Sequence, residues 1–138
     1  MPCAAHAIAV GDRLDELGPE TDAVLVTFTD DTNLTRYVER TSLPYRVVRD
    51  PDRRGYWAYG LGRGSVARVW GLRALRRYLQ LVRPGGRLKP SRPTEDPLQL
   101  GGDFVIGPDG VLEYGYWGAG PDDRPGIEEL MDAARPAP

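Results

Sequence analysis

Apolar residues recur at three- and four-residue spacing over residues 4–17, where Ala7, Val10, Leu14 and Leu17 draw one stripe. That period predicts a helix with one buried face. Gly18-Pro19 ends it, because glycine accepts the left-handed backbone and proline cannot continue the turn. The pattern then changes. Ala23-Val24-Leu25-Val26-Thr27-Phe28 is a nearly unbroken apolar run rich in β-branched residues. It is short and bounded by polar residues, so it predicts a strand buried on both faces, as in a helix-covered parallel sheet. Asp30 or Asp31 supplies a cap for a helix over 31–41, with Leu34, Tyr37 and Val38 inward, and Leu43-Pro44 closes it. Tyr45 to Val48 predicts a short strand with Arg46 exposed.

Asp50-Pro51 sets a capping carboxylate ahead of a proline at a first helical position, so a short helix carrying Tyr56, Trp57 and Tyr59 is expected next. Gly60-Leu61-Gly62-Arg63-Gly64 reads as a hinge, since it lacks the spacing of a phosphate-cradling loop. Residues 66–82 again show a helical stripe, with Val69, Leu72, Leu75, Leu79 and Val82 inward. Residues 83–97 hold four prolines and Gly85-Gly86 and predict an irregular loop. Phe104 to Ile106, a Gly107-Pro108-Asp109-Gly110 turn and Val111 to Tyr114 predict a β-hairpin. Residues 122–125 read as a turn into a last helix over Ile127–Ala134. The expected organisation is a single domain over residues 1–135 with a frayed tail at 136–138.

A length of 138 residues fits one domain. Apolar residues at 41% and charged residues at 28% are ordinary for a globular chain. No apolar run approaches the roughly 20 residues that span a bilayer. No basic stretch leading into an apolar one marks a signal peptide, so a cytoplasmic location is expected. A single cysteine excludes an internal disulfide and a multi-cysteine metal site, and a single histidine excludes a three-histidine zinc centre. The net charge of −2 conceals a split: residues 49–92 carry twelve basic residues and two acids, a local +10 against −12 in the rest. Such a split marks either a segment that meets an acidic partner or arginines that solvate a helix face and neutralise the remainder.

Leu100-Gly101-Gly102-Asp103-Phe104-Val105-Ile106-Gly107-Pro108-Asp109-Gly110 resembles the Gly-Gly-x-Phe-Val hairpin of the AhpC/TSA-like peroxiredoxin family, in its thioredoxin-like branch. Asp50-Pro51 with Tyr56 to Leu61 resembles, in looser form, that group's Asp-Pro helix. The resemblance covers nearly all of residues 3–132. It implies an α/β fold, a thioredoxin-like three-layer sandwich.

In that family the chemistry sits where a Cys-x-x-Cys motif opens the first helix. A helix N-terminus presents unpaired amides and the positive end of its dipole, which stabilise a thiolate. Cys3 matches the second cysteine of the motif, the first would fall one position before Met1, and the central strand that precedes it has no counterpart here. Two readings stay open. Either Met1 is an internal methionine of a longer chain reading strand-Cys-Met-Pro-Cys, or the protein is short and a rearranged edge or another subunit fills the gap. His6, one turn after Cys3, is placed to hold a proton near the thiol. The segment before the hairpin offers no arginine to pair with the thiolate, which leaves Arg46, Arg49 or Arg68 to approach it. Gly101 and Gly102 fall where the resemblance places the cis-proline of thioredoxins beside the cysteine, and glycine there either allows a substrate's backbone to come close or serves only the turn.

The resemblance implies a thiol-dependent antioxidant oxidoreductase that reduces a peroxide or exchanges with a disulfide at Cys3. It would draw on an external reductant, thioredoxin-like or a low-molecular-weight thiol, and a homodimer is one available state. No metal or organic cofactor is implied, and no membrane partner. The alternative is a non-catalytic thioredoxin-fold module whose basic 49–92 segment binds an acidic partner.

Overall fold

The computed structural model describes residues 2–64, 96, 98–120 and 123–135, with Pro2 and Cys3 placed through their backbone. The helix expected over 66–82, the loop over 83–97 apart from Asp96 and Leu98 onward, and the tail at 136–138 lie outside the described residues.

The first helix, α1, spans Pro2–Arg13 and tightens into a 3₁₀ turn over Leu14–Leu17. Gly18 stops it at φ +83°, a left-handed conformation that glycine accepts without strain. Strand β1 (Val24–Thr27), helix α2 (Asp31–Thr41) and strand β2 (Arg46–Arg49) follow, and β1 pairs with β2 in parallel, Val24 opposite Arg46 and Thr27 opposite Arg49. The α2 ends are chemically defined. The Asp30 carboxylate accepts from the Asn33 amide at 2.8 Å, and Ser42 closes the helix in the left-handed region at φ 47°.

Two expectations are corrected here. β1 is not buried on both faces: Leu25 and Thr27 are half-buried, but Val24 is 45% and Val26 40% exposed. Valine favours a pleated backbone whether or not its side is covered, so composition overstated the burial. The short helix, α3, begins at Arg54 and runs to Ala58 rather than opening at Pro51. Asp50 still serves it from further back, its carboxylate accepting from the Arg54 amide at 3.0 Å and the Gly55 amide at 2.7 Å.

Strand β3 (Gly102–Ile106) and strand β4 (Leu112–Trp117) form the antiparallel hairpin, with Asp103 opposite Tyr116 and an irregularity in register between Val105 and Ile106. The turn closes through Gly110 at φ +80° and its amide on the Gly107 carbonyl at 2.9 Å. Among the described residues no ladder joins the β1–β2 pair to the β3–β4 pair. The Thr27 carbonyl accepts the Asp50 amide on the β2 side, so the adjacent Val26 carbonyl points to the opposite edge, where the Tyr56 hydroxyl donates to it at 3.0 Å.

The last helix, α4 (Ile127–Ala134), lies against α1 and the hairpin. Ala7 and Leu17 from the amino end meet Leu130 and Met131 from the carboxyl end as the principal buried apolar group, with Met131 only 1% exposed. Arg13 holds the same junction from outside through Glu128, and the Tyr114 hydroxyl donates to Glu129 at 2.9 Å. Away from that core, Tyr59, Phe104 and Trp117 stack in a row with ring centroids 4.7 and 5.3 Å apart.

A polar clasp joins residues 61–64 to 96–100. The Gly64 amide donates to the Leu98 carbonyl at 2.7 Å, and the buried Gln99 amide group donates to the carbonyls of Leu61, Gly62 and Leu100. Arg53 and Arg63 both reach Asp96 at 2.9 Å. Burial pushes the Asp96 carboxyl upward, but the Leu98 amide and the two guanidinium groups outweigh it and hold it below its ordinary value. Among the described residues no helix is long and apolar enough to cross a membrane.

Truncating Met131 at the α1–α4 junction leaves a cavity, so Met131→Ala is expected to lower stability by about 2–5 kcal/mol. Asp30→Ala, which removes only a cap, is expected to cost about 1 kcal/mol. Urea midpoints of the two variants check the ranking, and equal losses would place the core elsewhere.

Candidate functional site

Helix α1 places Cys3 in its first turn and His6 three residues later, a spacing that puts two positions on one helical face. The His6 ring is anchored from across the fold, its Nε2 lying 2.9 Å from Asp103 Oδ1 on β3. The two side chains are only 14% and 18% exposed, so each needs a partner for its polar atoms. An ionised carboxylate only accepts hydrogen bonds, so the imidazole Nε2 donates.

Asp103 directly follows Gly101 and Gly102, which brings the glycine pair to the same end of α1. The two glycines do different work. A methyl group on Gly102 would collide with the Tyr116 carbonyl oxygen and sit 3.0 Å from Leu61 Cδ2, so the hairpin backbone itself excludes a side chain there. A methyl group on Gly101 would collide with the Arg124 guanidinium, whose Nη1 would be 2.8 Å away. Arg124 therefore lies across Gly101. Its Nη1 donates to the Asp123 carbonyl at 2.9 Å, and its Nε stands 3.9 Å from Asp103 Oδ2. That distance allows charge attraction but not a hydrogen bond, and among the described residues Oδ2 is buried with no hydrogen-bond partner.

Tyr45 completes the surroundings, its hydroxyl donating to the Ala7 carbonyl at 2.6 Å. Burial, with smaller contributions from Tyr37 and the Asp103 charge, pushes the Tyr45 phenol up to about 12. Tyr114 on β4 is likewise pushed up to about 12, first by burial, then by its bond to Glu129 and the Asp103 charge among others. Asp103 thus sits at the centre of a field felt from the strand before and the strand after it.

Of the residues singled out by sequence, His6, Gly101 and Gly102 converge, with Cys3 one helical turn from His6. The arginines expected to approach do not. Arg46 pairs with Asp22 at 2.9 Å and Arg49 with Asp31, both turned toward the β1–α2 side by nearer carboxylates. Arg68 lies outside the described residues. The arginine that does arrive is Arg124, from beyond the hairpin. Asp103 was missed as well. Its signal was a carboxylate inside an otherwise apolar strand, Phe104-Val105-Ile106, since an acid in such a place needs a partner. His6 and Asp103 supply two possible metal ligands, and among the described residues no group of three or more stands together.

A protein-family model described as AhpC/TSA antioxidant enzyme matches residues 9–119. No curated protein matches the chain. No solved structure matches it either.

Two measurements check this geometry. Gly102→Ala is expected to cost about 1–3 kcal/mol through overpacking against backbone, whereas Gly101→Ala displaces only the flexible end of Arg124 and should cost less. Both phenols near 12 lie above the ordinary value of 10.0. The protonated forms thus favour the fold below that ordinary value, and the advantage is lost as pH rises from there through about 12. Ultraviolet titration should show late-ionising tyrosines that become ordinary on unfolding.

Proposed function

Because the chain belongs to the AhpC/TSA antioxidant enzyme family, with its α/β thioredoxin-like fold and a redox function of the peroxiredoxin and thioredoxin kind, we propose that it is a thiol-dependent peroxide reductase or thiol–disulfide oxidoreductase acting through Cys3. The observation that supports this most is the placement of His6, one turn after Cys3 on α1 and held there by Asp103 beside Gly101-Gly102.

The chemistry follows from the groups. The thiolate is the nucleophile, and it forms at the amino end of a helix where amide dipoles favour negative charge. His6 accepts the thiol proton. The sulfur attacks one peroxide oxygen, an S–O bond forms as the O–O bond breaks, and the departing oxygen takes up a proton from His6. Cys3 is left as a sulfenic acid, oxidised by two electrons. One external thiol displaces water to give a mixed disulfide. A second releases Cys3 and leaves as the oxidised disulfide. Residues 1–138 hold one cysteine, so in this reading both reducing thiols come from outside them. A cytoplasmic thiol pool, thioredoxin-like or of low molecular weight, suits this role.

The alternative, a non-catalytic module with a basic docking segment, draws less support. Arg49 pairs with Asp31, and Arg53 and Arg63 share Asp96. Of the basic residues left for such a role, Arg54 is exposed and those over 68–92 lie outside the described residues.

The expected result is peroxide consumption by the reduced chain in the presence of excess thiol, with a sulfenic acid trapped on Cys3 by dimedone. Cys3→Ser should abolish both, and His6→Ala should slow consumption by about 10²-fold or more. A reduced native chain that consumes no peroxide and exchanges with no disulfide would overturn the assignment.

A further inference from the structure

The strand that carries the hairpin also carries a group the reaction above leaves unused. We propose that Asp103 is a positioning residue for His6: it fixes the imidazole as the Nε2–H tautomer and leaves Nδ1 as the basic nitrogen for proton exchange with Cys3, three residues earlier on the same helix. The proposal rests on Cys3 being the reacting thiol.

Asp103 Oδ1 meets His6 Nε2 at 2.9 Å, and Oδ2 has no hydrogen-bond partner among the described residues. The imidazole is therefore the carboxylate's hydrogen-bonded partner, and Arg124 Nε at 3.9 Å contributes charge without taking its place. The carboxylate is itself fixed, because Asp103 sits within the β3–β4 ladder opposite Tyr116. A rigid acceptor facing a ring nitrogen settles which nitrogen carries the proton, and the other nitrogen is then the basic one. The partners are 97 residues apart in sequence, so their meeting is a product of the fold.

Among the described residues, four side chains bear on the His6 end of α1 or on its carboxylate partner: Asp103, Arg124, Tyr45 and Tyr114. Asp103 faces the ring from β3, with Arg124 behind the carboxylate. Tyr45 reaches α1 from the start of β2 through the Ala7 carbonyl. Tyr114, bonded to Glu129 of α4, senses the Asp103 charge from β4. Cys3 is the titratable neighbour one turn away on its own helix. Of these, the one that hydrogen-bonds the ring is Asp103.

The chain has one histidine and one cysteine, so each can be read without assignment. In the full chain, ¹⁵N spectra of the histidine should show a proton on Nε2 and a bare Nδ1. Asp103→Asn, which keeps the shape, and Asp103→Ala should each give a mixture of tautomers. Iodoacetamide alkylation of Cys3 across pH 5 to 9 should slow by roughly tenfold at neutral pH in either variant, with the pH profile displaced. His6→Ala should show the same loss, and adding Asp103→Ala to it should produce no further loss, because one residue acts through the other. A native imidazole protonated on Nδ1 would overturn the proposal, as would a tautomer unchanged in both Asp103 variants or an Asp103 effect that adds in full to that of His6→Ala. Peroxide consumption enters none of these readouts. A chain that passes them yet reduces no peroxide or disulfide would fail the redox reading alone.

Discussion

Helix α1 is fixed to the rest of the molecule at three heights. His6 bonds Asp103 near its start, the Ala7 carbonyl receives the Tyr45 hydroxyl a residue further on, and Arg13 reaches Glu128 at its end. Between these lies the buried contact of Ala7 and Leu17 with Leu130 and Met131. The polar bonds and the apolar contact do separate jobs. Burial supplies most of the attraction, but it is non-directional. The hydrogen bonds, each worth only about 0.5–1.5 kcal/mol net, set the rotation of the helix about its own axis. With that rotation set, His6 faces β3. The candidate chemistry therefore depends on a weak, directional term acting on top of a strong, indifferent one.

The same division appears on the opposite side. Gln99 is buried, and its side-chain amide reaches the backbone carbonyls of Leu61, Gly62 and Leu100, the Gly62 carbonyl also accepting the Leu100 amide. Arg53 and Arg63 converge on Asp96 beside it. A buried carbonyl without a donor would cost more than the net value of the bond that satisfies it. One glutamine thus closes a junction between segments far apart in the sequence. The glycines at 60, 62 and 64 read as a hinge from sequence, and the structure holds them in this clasp.

Local signals were legible in the sequence, and distant ones were not. The Asp30 cap, the α2 span of Asp31–Thr41 and the last helix, Ile127–Ala134, follow from residues lying next to one another. The hairpin was legible for the same reason, since Gly107 to Gly110 contains its own turn chemistry. The start of α3 was misplaced because Asp50 caps at a longer reach than the usual spacing, across a turn through Pro51 and Asp52. Burial of β1 was overstated because an apolar run carries no record of what covers it. Asp103 and Arg124 escaped notice for a related reason. A carboxylate in a strand and an arginine after a turn become part of a cluster only when His6, 97 residues from Asp103, has been folded back onto them.

The contact between α1 and α4 has a consequence for how the protein is made. Residues 2–13 leave the ribosome well before the helix that packs against them, which is encoded at 127–134. The apolar stripe of α1 must wait until the chain between the two helices has been made before α4 emerges, and closing so long a loop carries an entropic cost. During that interval the nascent chain presents uncovered hydrocarbon beside its single sulfur-bearing thiol residue, so chaperone capture and premature oxidation are hazards of the same moment.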